Sequence, residues 1–248
     1  MNLLDRKAYD WGSAFGRFLY PFFPKRRRLA IDNILKAKIT DNPKEADRIA
    51  RMSFGHLAGH ICEALRVPNV ITKDNWRDHL DVSEGAPSAV HLLLEETEKP
   101  ILIVSSHHGV WEASTNLLSF ARPMIAIARV MNNKFVANWM KKHHFRGPVT
   151  IIDKNNGFTP DVIRQWVTDR AAMTILIDQH TSKGLPLTFL GRPAKTFTSA
   201  TRLAMRYGYP IVVGSFVRVG PYRYRLVGGR AGLISQGCRQ GRLHATSE

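Results

Sequence analysis

The sequence predicts an α/β fold: a mainly parallel central sheet flanked by helices, preceded by an N-terminal helical region. Three observations predict it. Short apolar runs, Ile101 to Val104, Met124 to Ala128 and Val149 to Ile152, stop at polar residues, Gly or Pro. Segments with apolar residues at helical spacing separate these runs, an alternation that builds parallel sheets. Before Leu65 the periodicity is helical and no strand run occurs. At 248 residues and 44% hydrophobic, the chain can bury one substantial core, so one domain is expected. Residues 1–28 read as an interfacial segment, 29–234 as the domain and 235–248 as an irregular tail.

Asp5 to Leu19 reads as a short helix, stopped near Pro21. Arg27 to Ile39 and Pro43 to Leu65 read as helices, and Pro43 suits a first helical position after Asp41-Asn42. Trp76 to Ser88 is polar, with room for one short strand. Ala89 to Glu96 suits a helix, Ile101 to Val104 a strand and Glu112 to Ala121 the helix after it. Met124 to Ala128 is the next strand, and Asn133 to His144 is helical and basic. Val149 to Ile152 is a strand, Pro160 to Asp169 a helix and Met173 to Ile177 a strand. A loop carrying Lys183, Arg192 and Lys195 follows. Thr198 to Tyr207 is a helix, and Pro210 to Val217 and Tyr222 to Val227 are the last strands.

The turn after Ile101 to Val104 holds the densest chemistry: Ser105-Ser-His-His-Gly-Val-Trp-Glu112. α/β proteins place chemistry at such turns, at the carboxyl end of the sheet. In one continuous helix, residues five apart lie roughly 140° apart around the axis, so His107 and Glu112 can face each other only across a chain reversal. A neutral imidazole removes a proton from a hydroxyl when a carboxylate fixes its tautomer and stabilises the imidazolium. The bland readings are a histidine bonded to backbone and a first-turn acid favoured by the helix dipole. No Gly-x-Ser-x-Gly nucleophile motif occurs, so the attacking hydroxyl is expected to belong to the substrate. No His-Glu-x-x-His or cysteine cluster occurs, and no metal site is expected.

Ser106-His-His-Gly-Val-Trp-Glu112 resembles the catalytic block of the bacterial lipid A biosynthesis acyltransferases, the lauroyl and myristoyl transferases, which commonly reads Gly-His-Phe-Gly-Asn-Trp-Glu. Further blocks match in the same order: Arg129-Val-Met-Asn-Asn133, Ile175-Leu-Ile-Asp-Gln179, Phe189-Leu-Gly-Arg-Pro-Ala194 and Thr198 to Arg202. Arg28 to Leu35 and Phe54 to Glu63 resemble the family's N-terminal helical region. Ser106, His108 and Val110 depart from the usual Gly, Phe and Asn. The family continues further than this chain, and the resemblance implies a truncated or altered C-terminus.

The resemblance implies transfer of a fatty acyl chain to a hydroxyl of a lipid A precursor or similar anionic glycolipid, at the cytoplasmic face of the bacterial inner membrane. The donor is an acyl carrier protein thioester, or coenzyme A, and no cofactor is needed. His107 is then the general base and Glu112 orients it. Arg129 is expected to hold a phosphate with its planar fork; alone, it would read as a capping or surface residue. Asn132 and Asn133 bind headgroup hydroxyls or cap the next helix. Asp178 and Gln179 contact substrate, organise the active-site loops or form a structural network. Arg192 meets phosphates or carrier-protein acids, or is merely solvated. Phe189, Leu190 and Phe197 line an acyl channel or belong to the core.

The net charge of +16 implies an anionic partner. Trp11 to Pro24, rich in aromatics, precedes Lys25-Arg-Arg-Arg28, a combination that suits peripheral anchoring on anionic lipid. Its competitor is an amphipathic helix packed on the domain. No run of ~18 apolar residues occurs, so no full membrane span is expected. Cys62 and Cys238 imply no disulfide framework. Two other functions stay open: an acyltransferase acting on a lysophospholipid or phosphoinositide glycolipid, and an inactive basic module that binds membrane or nucleic acid. No recognised nucleic-acid motif favours the latter partner.

Overall fold

The computed structural model describes residues 3–128, 147–154, 157–179, 181–182 and 184–233. The expected helix from Asn133 to His144 and the tail from Ser235 onward lie outside them. The N-terminal region is α1 (Leu3–Leu19), a 3-10 turn (Tyr20–Phe22), α2 (Pro24–Lys36) and α3 (Pro43–Val70). A second 3-10 turn (Trp76–His79), β1 (Leu80–Asp81) and α4 (Pro87–Leu94) lead to β2 (Ile101–Ser105) and α5 (Trp111–Leu118). Then come β3 (Met124–Ala128), β4 (Val149–Asp153), α6 (Pro160–Thr168) and β5 (Ala172–Leu176). A hairpin of β6 (Leu185–Phe189) and β7 (Arg192–Thr196) precedes α7 (Ser199–Tyr207), β8 (Ile211–Gly220) and β9 (Arg223–Gly232).

Among the described residues, the main sheet has seven strands in the order β1-β9-β8-β2-β5-β3-β4. Every neighbouring pair is parallel except β8 and β9, so the mainly parallel expectation holds. The alternation of side chains divides the core between two faces. Ile101 and Ile103 pack with Leu93 of α4 and Leu117 of α5. Leu102 and Val104 pack with Trp166 of α6 and Leu203 of α7. Arg122, almost wholly buried, ties the segments together by donating to the Leu92, Glu96, Lys99 and Arg170 carbonyls. Burial pushes its guanidinium down to about 10.

Glycines let α1 and α3 approach closely. A Cβ at Gly16 would lie 2.5 Å from the Phe54 carbonyl oxygen, and one at Gly59 would lie 2.9 Å from the Tyr9 ring. Gly12 and Gly55 are equally crowded by the opposite helix. The contact leaves Trp11, Phe15 and Phe18 of α1, with Phe22 and Phe23 beyond it, on the surface. α1 therefore packs on the domain and still presents the aromatics expected of an interfacial helix. None of the helices among the described residues is long and apolar enough to cross a membrane.

Some boundaries differ from the sequence expectation. α2 begins at Pro24 rather than Arg27, with proline in the first turn. α3 continues through Pro68 to Val70 instead of ending at Leu65, and burial of Val67 and Pro68 accompanies that extra turn. The larger correction concerns residues 185–196, expected as a loop but forming the β6–β7 hairpin. Pro186 and Pro193 obscure its strands, yet both strands are edges, where proline is tolerated.

Candidate active site

Strand register creates the site. β2 and β5 are parallel neighbours, with Ser105 paired to Leu176. The Ile177 amide continues the ladder by donating to the Ser105 carbonyl at 3.1 Å. His107 and Asp178 each follow two residues after that last pair, so they emerge side by side. Asp178 Oδ1 lies 2.8 Å from His107 Nδ1, and its Oδ2 accepts from the His107 backbone amide at 2.9 Å. Burial pushes the Asp178 carboxyl up, but its bonds to the His107 ring and amide, with the imidazolium charge, hold it below its ordinary value.

An ionised carboxylate only accepts, so in the neutral ring Nδ1 carries the proton and Nε2 presents its lone pair. The Gln179 side-chain nitrogen lies 3.3 Å from Nε2. The Trp111 ring packs edge-on to the imidazole, with centroids 5.8 Å apart. The ring is thereby bonded at both nitrogens, Nδ1 to Asp178 and Nε2 as acceptor from exposed Gln179, and packed against Trp111. A substrate hydroxyl that gives its proton to Nε2 takes the place of the Gln179 amide.

The turn between His107 and α5 is held against β8. The Val110 amide donates to the Phe216 carbonyl at 2.9 Å. Gly109 has φ +71°, and a Cβ there would lie 1.9 Å from the Phe216 oxygen. Gly109→Ala is expected to lower stability by at least about 1 kcal/mol. It should also lower any His107-dependent turnover more than tenfold, because the imidazole moves with the turn; an error of ~1 Å in a catalytic group can cost about 10²-fold. A thermal melt beside a turnover assay checks both effects.

Two cavities, each of about 1150 Å³, flank this turn. The first lies between α3 and the turn. His107 and Glu112 line it with apolar Ile49, Met52, Leu57 and Ile61. Burial raises the Glu112 carboxyl above its ordinary value. Asp178 and Gln179 line the second cavity with Ser105, Ser106, Phe189, Leu190, Arg192 and Lys195. His108 contributes to both walls.

A polar network closes one side of the first cavity and binds the helical region to the sheet. Glu63 of α3, 2% exposed, accepts from Arg218 Nε at 2.9 and 3.1 Å and from the Tyr224 hydroxyl at 2.9 Å. The Arg218 guanidinium lies 3.9 Å from the centroid of the Tyr9 ring. Burial, reinforced by the charges of Arg218 and His56, pushes His60 down to about 4 and keeps it neutral near pH 7.

Several sequence expectations meet here. His107, Glu112, Asp178, Gln179 and Arg192 lie on walls of adjoining cavities. The sequence reading gave the orienting role to Glu112; the hydrogen-bonded carboxylate at Nδ1 is Asp178. Arg192 and Lys195 project from β7 rather than from a loop. Phe189, Leu190 and Phe197 are exposed rather than core. Arg129, Asn132, Asn133 and Lys183 lie outside the described residues, or have side chains outside them. Glu63 and Arg218, which brace the site, were not singled out from sequence. A charged residue on the face of α3 that carries buried Gly55 and Gly59 was the available signal.

No curated protein matches the chain. The family model for bacterial lipid A biosynthesis acyltransferases matches residues 4–227, and the chain belongs to that family.

Proposed function

We propose that this member of the lipid A biosynthesis acyltransferase family moves a fatty acyl chain directly from a carrier thioester to a hydroxyl of an anionic glycolipid, with His107 as general base. The His107–Asp178 pair between two cavities carries the reading. Nε2 takes the proton as the acceptor oxygen bonds to the thioester carbonyl carbon. The C–S bond then breaks, and the proton passes to the departing sulfur. Asp178 keeps the imidazole in the required tautomer and stabilises its charged form. Glu112, on the wall shared with His107, positions the acceptor hydroxyl. Gln179 supplies an N–H donor near the developing oxyanion.

The apolar wall of the first cavity suits an acyl chain, and Arg192 and Lys195 give the second a cationic lining suited to phosphate. Arg129, Asn132 and Asn133 are assigned to the acceptor headgroup through the family resemblance. Exposed Phe15, Phe18, Phe22 and Phe23, beside Lys25 to Arg28, support peripheral attachment to the cytoplasmic face of an anionic inner membrane.

Mass spectrometry of lipids after incubation with acyl carrier protein thioester tests the assignment. The acceptors offered are a lipid A precursor, a lysophospholipid and a phosphoinositide glycolipid. The expected product is the acylated lipid A precursor. Preference for either other acceptor changes the substrate class, and failure to acylate all three overturns the catalytic reading.

A further inference from the structure

The β6–β7 hairpin stands outside the main sheet and has one exposed apolar face. Phe189 pairs with Arg192, Leu187 with Ala194 and Leu185 with Thr196, so these side chains share a face. Leu185, Leu187 and Phe189 are all exposed, Phe189 by 65%. A two-stranded hairpin has little stability of its own, and an apolar face on it is unfavourable in water.

The tip adds a second observation. Leu190 and Gly191 form the two-residue connection, with φ +48° and +72°. Positive φ at both positions is the pattern of a type I′ turn, which favours Asn-Gly. Leucine is disfavoured in that conformation, yet Leu190 occupies it and is 59% exposed. Its local backbone role would be better filled by asparagine, so the apolar side chain points to a contact outside the chain. Phe189, Leu190, Arg192 and Lys195 also line the second cavity, which Ile39, 62% exposed, borders from beyond α2.

We propose that the hairpin tip inserts Phe189 and Leu190 into the interface of an anionic lipid bilayer while Arg192 and Lys195 meet its phosphates. The second cavity then opens onto the lipid surface between the tip and Ile39. This deepens the proposed function by giving a membrane-borne substrate a route to Asp178 and Gln179. A lipid surface fits the apolar tip combined with flanking cations; an acidic carrier protein is the competing occupant.

Leu190→Asn suits the test because asparagine tolerates the left-handed turn, so the fold should be retained or stabilised. Binding to mixed phosphatidylglycerol–phosphatidylcholine vesicles should fall about tenfold through loss of the apolar contact. A fluorophore on Phe189→Cys, in a Cys62→Ser, Cys238→Ser background, should be quenched by brominated lipid. The same fluorophore on Asp161→Cys of α6 provides the solvent control. Undiminished vesicle binding by folded Leu190→Asn, or no quenching at position 189, overturns the proposal. So does unchanged vesicle binding with weakened binding to acyl carrier protein. These readouts need no turnover, so a failed acyl-transfer assay leaves them interpretable.

Discussion

His107→Ala should lower acyl transfer by about 10²–10⁴-fold, the range associated with loss of a positioned general base. The fold should survive, because the imidazole is partly exposed at a strand-end turn rather than packed in the core. A melting temperature near wild type therefore separates lost chemistry from lost structure. His108→Ala should have a smaller effect, since the described carboxylate bond belongs to His107. If His108 proved essential and His107 dispensable, the catalytic register would be off by one residue.

Asp178→Asn should lower turnover by about 10²–10⁴-fold with a smaller change in KM. The amide retains the carboxylate's shape but removes the charge that stabilises an imidazolium. It can also donate to Nδ1, which leaves the proton on Nε2 and blocks the base. Glu112→Gln provides the contrast. If Glu112 positions the acceptor, its substitution should raise acceptor KM as well as lower kcat. A kinetic comparison at saturating donor distinguishes these effects. Near-wild-type kcat in Asp178→Asn would remove Asp178 from the mechanism, and a kcat-only loss in Glu112→Gln would return the orienting role to Glu112.

The strands and the reactive turn were legible because their signals are local. Ile101 to Val104 is a compact apolar run, and His107 and Glu112 lie between it and a helical pattern. The Asp178 partnership was not legible, because it crosses 71 residues and requires β5 beside β2. The Glu63–Arg218 bond similarly spans 155 residues and depends on docking α3 against β8. Gly12 with Gly16 and Gly55 with Gly59 offered a signal for close helix packing, since residues four apart share a helical face. The hairpin was obscured by its two prolines and by leucine where Asn would mark the turn.

The central claim is direct transfer from donor thioester to acceptor hydroxyl, assisted by His107 and without an acyl-enzyme. A rapidly quenched single turnover with an acyl-labelled carrier thioester tests it most directly, with label counted on donor, protein and lipid. The account predicts that label leaves the donor and enters the glycolipid at the same rate, with none covalently attached to the protein at any time. It also predicts that His107→Ala slows both changes together. Label accumulating on the protein before it reaches the lipid would contradict the account, as would undiminished transfer by folded His107→Ala.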